Sequence, residues 1–60
     1  MITKMLKPYK GFEIEKSYDK NEDGTIDKES IVYCAYKDGN IFDAKNNLAP
    51  LKRSIDHYTK

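Results

Sequence analysis

The sequence predicts an α+β fold: a three-stranded antiparallel sheet in the order β-β-β-α, with one C-terminal helix packed across one face. Three observations carry this expectation. Phe12 to Tyr18 alternates apolar and polar residues, the period of a half-buried strand. Ile31 to Tyr36, IVYCAY, is β-branched and aromatic and runs into Asp38-Gly39, a strong hairpin signal. From Leu48 the period changes, because Leu48, Leu51, Ile55 and Tyr58 recur at intervals of three, four and three and form one helical stripe.

The elements follow in order. Residues 1 to 8, with Lys4 and Lys7, read as a basic N-terminal arm ahead of a single domain over residues 9 to 60. The first strand directs Phe12, Ile14 and Tyr18 to one face, which leaves Glu13 and Glu15 on the other. Asp19 to Gly24 is polar and ends in Asp-Gly, so the chain turns there. The second strand covers Ile31 to Tyr36, with an entry as early as Thr25. The third is Ile41 to Ala44. A two-residue loop and a three-residue loop with a bulge give opposite registers between these last strands, so Tyr33 and Cys34 are alternatives for the core. Asn47 stands at the N-cap position, and Pro50 falls in the first helical turn, where a missing N–H costs little.

Sixty residues make one domain. A chain of that length buries only about 60% of the surface its unfolded form exposes, which leaves little room for a deep substrate pocket. With 38% hydrophobic residues, five Tyr and two Phe, it nevertheless differs from a disordered tail. Cys34 is the single cysteine, which excludes an internal disulfide and a cysteine-based zinc cluster. That usage fits a reducing compartment, and the chain contains no apolar run of membrane-spanning or signal-peptide length. The expectation is a cytoplasmic protein without a membrane partner.

The net charge of +1 is unevenly spread. Residues 1 to 10 carry three Lys and no acid, giving +3; residues 11 to 30 carry seven acids against three Lys, giving −4; the remainder carries five bases against three acids, giving +2.

Residues 19 to 30, DKNEDGTIDKES, carry the most specific local motif. In a twelve-residue calcium loop, side chains at positions 1, 3 and 5, the carbonyl at 7, position 9 and a bidentate Glu at 12 hold the ion, with Gly at 6 for the turn. Here those positions are Asp19, Asn21, Asp23, Thr25, Asp27 and Ser30, with Gly24 at the turn. The stretch resembles EF-hand and dockerin-type loops, which implies calcium as a ligand. Ser30 replaces the bidentate carboxylate, and strand periodicity precedes the loop, so any affinity falls toward the weak end, roughly 10⁻⁴ to 10⁻³ M. No other cofactor is expected.

Three strands, a helix and a lysine-spaced arm resemble the arm-type DNA-binding domain of tyrosine integrases. In that family the sheet face opposite the helix enters the major groove. The resemblance implies nucleic-acid contacts by Lys4, Lys7 and Lys10 on the arm and by Lys16 and Lys37 near the sheet. Glu13 and Glu15 on the exposed sheet face oppose it, since a phosphate backbone repels them.

Across Tyr9 to Asp56 the chain is similar to small uncharacterised proteins of Gram-positive bacteria and their phages. Their common form is Tyr-Lys-Gly-Phe, a strand, an Asp-Gly turn and Leu-x-x-x-Lys-x-x-Ile-Asp on a helix, here Leu48, Lys52, Ile55 and Asp56. That resemblance implies fold, and a mobile-element origin, more than activity.

Catalysis finds no constellation. His57 is the only histidine and sits on the polar side of the predicted helix, and Cys34 in a β run is most simply a small buried hydrophobe. A nucleophile pair would need a third, orienting group. The leading expectation is therefore a non-enzymatic binding or accessory module. Its helix-free sheet face, with Tyr side chains beside Glu13 and Glu15, is the expected protein-contact or self-association surface, with a protein partner the first expectation.

Overall fold

The computed structural model describes residues 1 to 60. Four strands, β1 (Ile2–Met5), β2 (Glu13–Lys20), β3 (Ile26–Lys37) and β4 (Asn40–Lys45), form one antiparallel sheet in chain order, followed by helix α1 (Leu48–Tyr58). The α+β class and the single C-terminal helix on an antiparallel sheet agree with the sequence reading. The strand number does not: residues 2 to 5 add a fourth strand where an arm was expected. Their pattern, Ile2-Thr3-Lys4-Met5, is apolar at both ends with two polar residues between and carries little periodic signal. They are strand because β2 offers a partner edge, pairing Ile2 with Tyr18 and Met5 with Glu15.

Each hairpin is built by residues able to adopt positive φ. Lys10 and Gly11 (φ 51° and 84°) form a two-residue turn closed by reciprocal 2.9 Å bonds between Tyr9 and Phe12. Asp38 and Gly39 (φ 52° and 81°) make the equivalent turn between β3 and β4, pairing Lys37 with Asn40. Both are type I′ geometry, whose twist matches that of the flanking strands. The β2–β3 connection is a tighter version of the polar loop predicted there. Asn21 N–H donates to the Thr25 carbonyl at 2.7 Å, and Gly24 takes up φ 89°.

The two-residue turn decides the register left open by the sequence. Ala35 pairs with Ile14, and alternation then places Tyr33 on the helix side and Cys34 on the opposite face. Two irregularities modify the ladder. Ala35 pairs with Asp43 but Tyr36 with Ile41, so Phe42 is an extra residue on β4. This bulge lets Phe42 and the adjacent Asp43 both face α1. On β3, Ser17 pairs with Val32 and Asp19 with Asp27, so Tyr18 alone stands opposite residues 28 to 31. The Ser30 hydroxyl stabilises that excursion by accepting from Asp19 N–H and donating to the Asp27 carbonyl, both at 2.7 Å.

Helix α1 lies over β3 and β4. Its Leu51 and Ile55 are fully buried against Phe12, Ile14 and Ala35, and Leu6, Tyr9, Tyr33, Phe42 and Leu48 pack around them. Tyr58, the last residue of the predicted stripe, is largely exposed yet sets its ring edge against Phe12 and Phe42, with centroids 5.9 and 5.0 Å away. Asn47 caps α1 with an extended backbone but no side-chain hydrogen bond; the neighbouring Asn46 amide instead donates to the Ile31 carbonyl at 3.2 Å.

A polar latch joins the Tyr9-Lys10 turn to the helix. Asp56 accepts from the Tyr9 hydroxyl at 2.7 Å and pairs with Lys10 at 2.6 Å. The Lys10 ammonium, then the Tyr9 hydroxyl, hold the Asp56 carboxyl below its ordinary pKa. The same bond to Asp56 raises the Tyr9 phenol. No helix is long and apolar enough to cross a membrane.

Candidate functional site

The sheet has one face free of the helix. Alternation from the observed register assigns it Thr3 and Met5 of β1, Glu13, Glu15 and Ser17 of β2, Val32, Cys34 and Tyr36 of β3, and Ile41 and Ala44 of β4. Cross-strand neighbours group these side chains into rows: Met5, Glu15, Cys34 and Ala44 form one, and Glu13, Tyr36 and Ile41 another. Apolar groups therefore occupy β1, β3 and β4, and the carboxylates of Glu13 and Glu15 run between them on β2. Met5 is 58% exposed and Ile41 61%, both large apolar side chains that the fold leaves in water.

The face is partly dry even so. Desolvation, followed by the nearby Glu15 charge, raises the Tyr36 phenol above its ordinary pKa. Tyr36 and Glu15 lie on a diagonal of the ladder, since Glu15 pairs with Cys34. The neutral phenol can donate to a carboxylate, while its ring extends the apolar strip. A shallow open depression of about 270 Å³ adjoins the β4 end, lined by Lys37, Asp38, Asn40, Ile41, Phe42 and Tyr58. It is too open to enclose a small molecule.

Of the five tyrosines, Tyr36 alone lies on the helix-free face. Tyr33 and Tyr18 belong to the other side, where Tyr33 packs toward the core and Tyr18 is 5% exposed. Met5, Val32 and Ile41 were not singled out in the sequence. Val32, Cys34 and Tyr36 share a period of two in IVYCAY, but that signal points outward only once Tyr33 is known to point inward.

The calcium-loop positions are distributed along the β2–β3 hairpin. Asp19 and Asp27 are cross-strand partners, whereas Asp23 lies at the turn. Asp23 Oδ1 accepts from the Thr25 N–H at 2.9 Å and its hydroxyl at 2.6 Å, and these bonds lower the Asp23 pKa. The Asn21 amide donates to the Thr25 hydroxyl at 3.0 Å, and Asp27 Oδ1 accepts from Glu29 N–H. Asp19 faces the N-terminal amino group at 3.4 Å. Ser30 braces the β3 excursion. No three carboxylate, histidine or cysteine side chains are clustered in this structure.

The basic candidates are likewise dispersed. Lys7 is exposed between β1 and β2, Lys10 is paired with Asp56, and the Lys37 ammonium lies 5.0 Å from the Phe12 ring centroid. Lys4 and Lys16 are opposite one another, on the side that carries the helix, since Lys16 alternates with Ile14. The helix-free face thus presents carboxylates and none of the five lysines expected to contact nucleic acid.

No protein-family model, curated protein or solved structure matches the chain.

Proposed function

We propose that the protein is a small non-enzymatic binding module whose helix-free sheet face contacts a protein partner presenting apolar and basic side chains. The observation that carries this reading is the composition of that face. Met5, Val32, Cys34, Tyr36 and Ile41 surround Glu13 and Glu15, and no cation of the chain neutralises these two carboxylates through an ion pair. A partner with lysine or arginine flanked by apolar side chains complements both components. A second copy of the same face complements it less well, because it brings further unpaired carboxylates and no cation to the contact.

The test is a quantitative pull-down from the source cell with the wild-type chain, Tyr36→Lys, Ile41→Lys and the helix-surface control Arg53→Ala. The wild type and Arg53→Ala are expected to enrich the same protein. Both sheet-face variants, while retaining wild-type circular dichroism, are expected to lose at least tenfold of it, or about 1.4 kcal/mol. Equal enrichment by all four proteins, or enrichment by none, overturns the reading.

A further inference from the structure

The helix side of the sheet contains a second constellation, independent of the helix-free face. Lys4 and Lys16 are directly opposite on β1 and β2. Like charges in that position repel, and folds usually separate them or place a carboxylate between them. Neither lysine forms an ion pair, whereas Lys10 pairs with Asp56 and Lys45 with Asp43. Both ammonium groups instead converge on the Tyr18 ring, at 5.9 and 5.6 Å from its centroid, and Lys16 is also 5.7 Å from the Tyr33 ring. Tyr18 is 5% exposed, so both lysine side chains lie against the same, largely buried ring. Helix α1 lies over β3 and β4 and packs on Ile14 of β2, while Lys4 on the edge strand stays exposed and Lys16 half-buried. Glu15, next to Lys16 in sequence, points to the other face of the sheet, and Asp19 is engaged by the N-terminal amino group.

We infer that Lys4 and Lys16, gathered over Tyr18 beside Tyr33, form a binding site for a phosphate group. A tetrahedral oxyanion of charge near −2 accepts from both ammoniums and removes their mutual repulsion, which a single carboxylate does only in part. Lys4 and Lys16 already lie over the Tyr18 ring, and Lys16 over the Tyr33 ring, so the site takes the phosphate itself rather than a stacked base. Phosphate on a small molecule and phosphate along a nucleic-acid strand share this chemistry.

The test is a titration of the ¹⁵N-labelled full chain at low ionic strength with inorganic phosphate, pyrophosphate and a short oligothymidylate. Pyrophosphate is expected to give saturable shifts confined to the neighbourhood of Lys4, Lys16, Tyr18 and Tyr33, tighter than inorganic phosphate, with an apparent Kd at or below about 10 mM. Lys4→Gln, a change at an exposed edge-strand position, is expected to weaken it at least fivefold, and Lys4→Arg to retain it. Oligothymidylate binding through the same residues and more tightly than pyrophosphate supports the site and assigns its phosphate to a nucleic-acid strand; oligothymidylate weaker than pyrophosphate supports it and assigns a small ligand. Absence of saturation with all three probes, or identical titrations for wild type and Lys4→Gln, overturns the inference. Since the helix-free face takes no part, failure here leaves the pull-down result standing, and the reverse holds.

Discussion

Replacing Phe42 by alanine is expected to destabilise the fold by about 2–3 kcal/mol, while replacing its neighbour Ile41 by alanine changes stability by less than about 0.5 kcal/mol. The contrast follows from the two-residue Asp38-Gly39 turn. It sets Ile41 opposite Tyr36 on the helix-free face, where it is 61% exposed, and turns Phe42 toward the core. A fully buried Phe truncated to Ala costs about 3–5 kcal/mol. Phe42 is half-buried, which lowers the burial contribution to roughly 1.5–2.5 kcal/mol. Its tilted contacts with Phe12 and Tyr58, centroids 4.9 and 5.0 Å apart, add about 0.5 kcal/mol. Against a total of about 3–9 kcal/mol for a domain of this length, the Phe42 variant loses a large share of its stability. Thermal unfolding followed by far-ultraviolet circular dichroism should show a midpoint about 10–20 °C lower for Phe42→Ala and within a few degrees of wild type for Ile41→Ala. A loop one residue longer would exchange the two side chains between faces. Equal losses, or a larger loss for Ile41→Ala, would therefore refute the register and with it the composition of the proposed contact face.

Two further outcomes test the latch and the turns. Asp56 has a folded pKa below its unfolded value, so its contribution is present above the ordinary carboxylate range and is lost as pH falls through the folded pKa. Between about pH 5 and pH 2 the wild type should accordingly lose more stability than Asp56→Asn, as measured by urea midpoints; parallel losses would show that the latch contributes nothing. Gly24→Ala is expected to cost about 1 kcal/mol although nothing lies within 4 Å of the added Cβ, because φ 89° is strained for any L side chain. Gly24→Asn should cost less, and an unchanged melting temperature in the alanine variant would contradict the turn assignment.

The sequence by itself determined the helix, three of the four strands and the Asp-Gly turns. Their signals are local: a stripe at 3.6 residues in Leu48 to Tyr58, a period of two from Phe12, and residue types that tolerate positive φ. It also carried most of the core, since Phe12, Ile14, Tyr18, Leu51 and Ile55 are buried as their spacing requires. Three features depended on tertiary structure. Residues 2 to 5 became a strand because β2 presented an unpaired edge, a partner ten to sixteen residues away in the chain. Tyr33 and Cys34 were equivalent candidates until hairpin geometry set the register, as a shift of one residue moves every side chain of a strand to the other face. The ligand-like spacing of Asp19 to Ser30 was legible, but strand pairing extended it along a hairpin, and its oxygens satisfied backbone and hydroxyl donors close by. The helix-free face and the Lys4–Lys16 pair are likewise products of pairing. Each joins residues from separate strands, and only closure of the sheet brings them side by side.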